Sequence, residues 1–222
     1  VARRGKYLLI HLQEGGHLVF HLRMTGSLVY EPQGTAVETG HTRMVFSLAG
    51  GGALRFSDIR TFGCVYGFAA GEEIAVPGLQ SLGPEPLSDD FTSSYLAAAI
   101  KGRKQPVKSF LLDQRHIAGL GNIYADEALF LARIDPRRAA GSLSAQECRR
   151  LAEAVRKVLR DGLKDGGTTF RDYRNGAGES GHHQEHLYVY HREGKPCPVC
   201  GRPVEKTTVG GRGTHFCAHC QR

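Results

Sequence analysis

The chain has 222 residues, enough for a sizeable core and more readily divided into two modest domains than folded as one. Its formal net charge of +7 favours a polyanionic partner, although many basic proteins bind none. No apolar run approaches membrane-spanning length and no secretory leader is recognisable, so a membrane role and an oxidising compartment are set aside.

The sequence opens on "VARRGKYLLIHL", without Met and with a strand beginning almost at once, which reads as a domain entered part-way. The runs "KYLLIHL", "HLVFHLRM", "GSLVY", "TRMVFSL", "ALRFSDI" and "CVYGF" are short and separated by Gly-rich turns, predicting antiparallel strands in a sandwich or barrel. The stretch from "MVFSL" to "ALRFS" is a hairpin pattern, with Leu54 and Phe56 on one face and Arg55 and Ser57 on the other. "SLGPEPLSDDF" reads as a Pro-punctuated linker.

Helices follow. "TSSYLAAAIKG" is one, and "PVKSFLLDQ" another with Pro106 suited to its first turn. "NIYADEALFLARI" is a third, with Asn122 as N-cap and Asp126 and Glu127 near the positive end of its dipole. The longest opens at "SAQE", where Ser144 and Glu147 make a capping box. Cys148, Leu151, Val155, Leu159 and Leu163 keep helical spacing, and "DGG" ends the run. Residues 171–186 are polar and Gly-rich and read as a mobile loop, of the kind that is often functional.

Two CxxC pairs, Cys197 with Cys200 and Cys217 with Cys220, have the spacing of a four-thiolate zinc site. Neither pair lies in a βαβ setting, so a redox reading is the weaker one. Cys64 and Cys148 stand alone, a usage that suits a reducing cytoplasm better than a disulfide scaffold. His215 and His219 could compete as ligands, but the four cysteines complete a symmetric set. Between the pairs an alternating stretch with "GGRG" at its tip reads as a hairpin carrying Arg212. A hairpin so short has too little apolar area to order itself, and one structural Zn²⁺ can supply that folding free energy.

The expected architecture is therefore α+β and multidomain. An antiparallel β-sandwich, incomplete at its start, spans 1–80 and a linker 81–91. Helices follow over 92–170, then a loop and lead-in over 171–191 and a zinc hairpin over 192–222.

Three further stretches carry two readings each. In "AGLGNIYADE" two glycines precede a helix start, so bare N–H groups can face an anion. By itself the stretch fits an ordinary tight turn between helices better, and the basic chain with its zinc hairpin shifts the balance towards a nucleic-acid backbone. The cations Lys101, Arg103, Lys104 and Lys108 form either a solvated face or a phosphate track. Met24, Arg60 and Phe62 lie beside glycines at strand ends, as core residues or as exposed tips able to wedge between bases.

In this order the motifs resemble bacterial formamidopyrimidine-DNA glycosylase. They are "RRGK", "HLRMTGSL", "DIRTFG", "LGPEPL", "LLDQRHIAGLGNIYADEALF", "GGTTFRDY" and the zinc hairpin, together covering essentially the whole chain. The sister family endonuclease VIII, acting on oxidised pyrimidines, shares the helical module and finger, but "DIRTFG" is closer to the formamidopyrimidine branch. The resemblance implies a β-sandwich joined to a helix–two-turn–helix domain, with damaged double-stranded DNA in the cleft between them. It implies excision of 8-oxoguanine and formamidopyrimidines followed by β,δ-elimination, by a monomer without membrane contact, cytoplasmic and nucleoid-associated in a bacterium. Met24, Arg60 and Phe62 then fill the gap left by the extruded nucleotide. His41, Arg103, Lys108, Asn122 and Arg212 contact phosphates. Thr168, Phe170, Arg171, Asp172 and Tyr173 cap the flipped base, and Lys6 and Arg212 serve the elimination.

The family's nucleophile is an N-terminal proline followed by glutamate, and Val1 matches a point well inside the first domain. Attack on the sugar C1′ needs an uncharged amine. An α-amino group with a pKa of roughly 7.7–8.0 supplies one more readily than a lysine near about 10.4. The expectation is a chain lacking its N-terminal segment, with weak or no glycosylase activity. The alternative is a catalytically dead, zinc-dependent fragment that binds damaged DNA.

Overall fold

The computed structural model describes residues 1–33, 40–170 and 175–222. They form two compact units, one of residues 1–80 with 162–185, the other of 81–161 with 186–222.

In the first unit the short apolar runs become seven strands among the described residues: β1 (Ala2–Arg4), β2 (Tyr7–His11), β3 (His17–His21), β4 (Gly26–Glu31), β5 (Thr42–Ser47), β6 (Ala53–Asp58) and β7 (Cys64–Phe68). All pair antiparallel, in a four-stranded sheet ordered β1-β2-β3-β7 and a three-stranded sheet ordered β4-β6-β5. Phe20 of β3 joins the two sheets, its ring edge-to-face with Phe46 at 5.6 Å and Phe56 at 6.1 Å. The β6 alternation holds, but its polar face is not simply wet. Arg55 is buried, and its guanidinium donates to both Glu31 carboxylate oxygens, at 2.7 and 2.8 Å.

Part of the stretch expected to be a mobile loop is also ordered in this unit. The N–H of Tyr30, on edge strand β4, donates to Gly176 O at 3.0 Å, and the Asn175 side chain accepts from Ala177 and Glu179. His183 meets the Asp165 carboxylate at 2.8 Å, and Gly181 packs where a side chain would strike the backbone of Gly166 and Gly167. The compact units therefore divide the chain differently from the linear domains expected, with 162–185 returning to the strands.

The second unit holds α1 (Ser93–Ile100), α2 (Val107–Leu112), α3 (Asn122–Ala132) and α4 (Ala145–Lys164), with the hairpin β8 (Glu205–Val209) and β9 (Arg212–Phe216). Thr92 caps α1 by accepting from Tyr95 N–H at 2.9 Å. Phe91, Leu96, Phe110, Leu111, Leu129 and Leu151 form the centre of one core. Asn122 is not the cap of α3. Gly121 holds that position in extended backbone, which frees the Asn122 side chain for a longer contact. On α4 the apolar stripe buries Cys148, Leu151 and Val155, whereas Leu163, on the helix end from Gly162 that belongs to the first unit, is 70% exposed. The capping box is present. Glu147 accepts from Ser144 N–H at 2.8 Å and pairs with Arg138 at 2.5 Å.

The Arg138 guanidinium and the Ser144 donors outweigh burial and hold the Glu147 carboxyl down from 4.5 to about 2. A group depressed in this way stabilises the fold fully above its unfolded value and loses that contribution as pH falls from 4.5 towards about 2. Glu147→Gln is expected to lower stability by about 1–3 kcal/mol at neutral pH. Thermal melts should show a shallower acid limb for the variant across that window.

Candidate nucleic-acid interface

In the first unit, β6 ends on a carboxylate. Alternation that buries Phe56 also turns Asp58 inward, and it is 1% exposed. Its oxygens accept from Thr25 Oγ1 at 2.5 Å, Arg60 N–H at 3.2 Å and Gly63 N–H at 2.7 Å. Burial pushes this carboxyl up, but the hydrogen bonds from Thr25, Gly63, Arg60 and Phe62 prevail and hold it below the ordinary aspartate value. Around that anchor three predicted residues come together outside the core. Met24 is 68% and Phe62 53% exposed. The Arg60 guanidinium lies 3.3 Å from Met24 Sδ and 4.8 Å from the centre of the Phe62 ring. Asp58 and Thr25 escaped the sequence reading. The available signal was a carboxylate continuing the apolar face of Leu54 and Phe56.

Lys6 is exposed in the turn between β1 and β2 and lines a surface pocket of about 230 Å³ with His21, Arg23 and Met24. Burial, then Arg23 and Lys6, lower the His21 imidazole to about 4, so it is neutral at physiological pH. His41 is exposed, with its carbonyl accepting from Asp58 N–H. Thr168 is half-buried and Phe170 exposed, whereas Arg171, Asp172 and Tyr173 lie outside the described residues.

In the second unit the four cysteines converge. Cys197 and Cys220 Sγ are 3.9 Å apart, Cys200 and Cys217 Sγ 3.5 Å, and all four sulfurs lie within 4.8 Å of one another. A tetrahedron with Zn–S arms of about 2.3 Å has edges of about 3.8 Å, so the donor set fits one structural zinc with no open position. His215 is not a ligand. It is buried against Asp126, which accepts its backbone N–H at 2.9 Å. The hairpin turns on Gly210 and Gly211, at φ of +56° and +75°, with Val209 opposite Arg212. Arg212 stands exposed at the tip.

Two α3 carboxylates that looked like dipole partners instead hold this finger. Glu127 accepts N–H groups from Tyr188, Val189 and Tyr190 at 2.7 to 2.9 Å, and burial pushes its carboxyl up against their pull. Asp126 forms a fully buried ion pair with Lys108 at 2.6 Å. The same ammonium donates to Gly213 O and Thr214 Oγ1, both at 2.8 Å. Lys108 therefore does not present a phosphate contact here: it is buried and its three donor positions face three protein acceptors. Asn122 Nδ2 donates to the same Gly213 carbonyl at 3.0 Å. Arg103 is exposed, as are its neighbours Lys101 and Lys104. An apolar helix carrying adjacent carboxylates was the signal that missed its meaning.

A β-sandwich with an apolar tip, helices and a cation on a zinc hairpin defines a class of zinc-containing nucleic-acid-binding proteins. Residues 1–65 match the Formamidopyrimidine-DNA glycosylase N-terminal domain, 82–174 the H2TH domain of the same enzyme, and 194–222 the zinc finger found in FPG and IleRS. The chain belongs to the formamidopyrimidine-DNA glycosylase family. It is 55% identical over 204 residues to the Moorella thermoacetica formamidopyrimidine-DNA glycosylase, covering 92% of this chain and 74% of the relative. The crystal structure of the Thermus thermophilus MutM (FPG) protein superimposes with a TM-score of 0.90 at 49% identity, over 99% of this chain and 81% of that one. A Lactococcus lactis FPG mutant in complex with DNA containing Fapy-dG gives 0.90 at 33% identity, over 100% and 80%. The expectation that an N-terminal segment is lacking draws no support from these matches, since the N-terminal-domain model is met from residue 1.

Lys108→Ala is expected to cost about 3–5 kcal/mol, because it leaves the Asp126 carboxylate buried and unpaired. Urea unfolding of the zinc-loaded protein should show that loss, with much of it recovered when Asp126 is replaced by Leu and Lys108 by Met together.

Proposed function

We propose that this chain is a DNA glycosylase with abasic-site lyase activity, directed at oxidised and ring-opened purines in duplex DNA. The observation that carries the reading is the exposed cluster of Met24, Arg60 and Phe62 on one buried carboxylate. Solvent-facing apolar side chains beside a guanidinium suit the space left when a nucleotide leaves the stack, with Arg60 addressing the orphaned base. Arg212, a planar fork on a rigid hairpin, suits phosphate at the lesion, with His41, Arg103 and Asn122 as further backbone contacts. Thr168 and the segment from Phe170 to Tyr173 cap the extruded base.

Zinc orders the finger when bound. In the lyase step, Schiff-base formation at C1′ and the first elimination are assigned to Lys6, the second elimination to Arg212. Base excision itself calls for an uncharged amine as nucleophile. The matched family favours the formamidopyrimidine branch over endonuclease VIII.

Borohydride trapping on an abasic duplex is expected to give a covalent adduct that Lys6→Ala diminishes; absence of any adduct would leave binding alone. Arg212→Ala should weaken damaged and undamaged duplex equally and reduce the salt slope by about 1, because a phosphate contact carries no sequence information. An unchanged slope counts against the assignment.

A further inference from the structure

We infer that Asp58 is the positioning residue of the wedge, holding Met24, Arg60 and Phe62 in their working arrangement before DNA arrives. The inference rests on the proposed role of that cluster. Two chain segments meet at the carboxylate. One runs from β3 to β4 and brings Thr25, next to Met24; the other follows β6 and brings the N–H groups of Arg60 and Gly63. Arg60 N–H also lies 3.2 Å from Thr25 Oγ1, so hydroxyl and carboxylate together receive it. No apolar contact could do this, because each donor faces inward beneath side chains that themselves point to solvent.

The backbone conforms to the same anchor. Arg23 and Thr61, neither of them glycine, adopt φ of +56° and +57° beside the wedge residues. Such conformations persist only where surrounding contacts over-determine them. Gly63 is required at its place, since a Cβ there would lie 2.6 Å from the Phe56 ring and 3.1 Å from Asp58 Oδ2. The end of strand β6 is tied twice to the β5 segment: Asp58 N–H donates to His41 O, and Arg43 Nε donates to Asp58 O at 2.9 Å. A wedge on loose loops would lose ordering entropy on entering the duplex. Fixing the geometry beforehand leaves more of the contact energy for extrusion.

The test measures affinity for a duplex with an intact 8-oxoguanine and for one with a tetrahydrofuran abasic analogue, where no base has to be extruded. Asp58→Asn keeps the shape but sets an amide or a weaker acceptor against the donors, and Thr25→Val removes one donor while keeping the carboxylate. Both are expected to lose about tenfold on the intact lesion and little on the abasic analogue, the size of one hydrogen bond to a charged group. Thr25→Ser, which retains the hydroxyl, should behave as the unaltered protein. Equal losses on both duplexes would reduce Asp58 to a stabilising residue and overturn the inference, as would an unaffected Thr25→Val. That variant decides the matter if Asp58→Asn does not fold. Phe62→Ala separates the two levels. If it leaves the lesion-to-abasic ratio unchanged, the wedge reading fails; if it lowers the ratio while Thr25→Val does not, only the role of Asp58 fails.

Discussion

The ion pair between Lys108 and Asp126 is the interaction on which the zinc finger's placement depends. Both side chains are fully buried, and a buried charge is tolerable only when paired and hydrogen-bonded. Lys108 meets that demand by holding Gly213 and Thr214, the residues immediately after Arg212. Asp126 meets it by also accepting the His215 N–H. Burial pushes the ammonium below the ordinary lysine value and the Asp126 carboxylate opposes that shift, so the pair is mutually dependent. The consequence is that β9 is fixed against α2 and α3 by polar contacts with little freedom of register.

The same device, a carboxylate that accepts several hydrogen bonds, recurs elsewhere in the chain. Asp58 gathers donors beneath the Met24, Arg60 and Phe62 tip, Glu127 gathers three N–H groups of the segment leading to the finger, and Glu31 clamps Arg55 within the sheet. Carboxylates suit the task because one group accepts several hydrogen bonds and can therefore stiffen irregular backbone. Irregular backbone is what places a side chain at a tip instead of on a sheet face. At the Met24, Arg60 and Phe62 tip and at Arg212, rigidity lies with buried acids while the side chains facing solvent are cationic or apolar.

Zinc and the helices divide the ordering of the finger. The four sulfurs close the base of the hairpin, and Gly210 and Gly211 make its turn, but neither sets where the strands lie against the rest of the unit. That is decided by Lys108, Asn122 and Asp126. The finger is thus an extension of the helical core, sharing Phe130 with Val189, Val204 and Cys197 in a small apolar cluster of its own.

Local signals were enough to locate the strands, the capping box at Ser144, the paired cysteines and the "DIRTFG" tip, because each is written in residues close together in sequence. Spacing likewise determined that zinc fits and that Arg212 projects. What tertiary structure alone decided was the fate of charges. Lys108, read as a possible phosphate contact within a basic run, is enclosed by an aspartate on another helix and a carbonyl 105 residues away. Asp126 and Glu127 likewise proved to be anchors, and Arg55 a buried partner of Glu31. A lysine or carboxylate looks the same in sequence whether water or a buried counter-charge satisfies it. Only the packing of distant segments determines which of the two it meets.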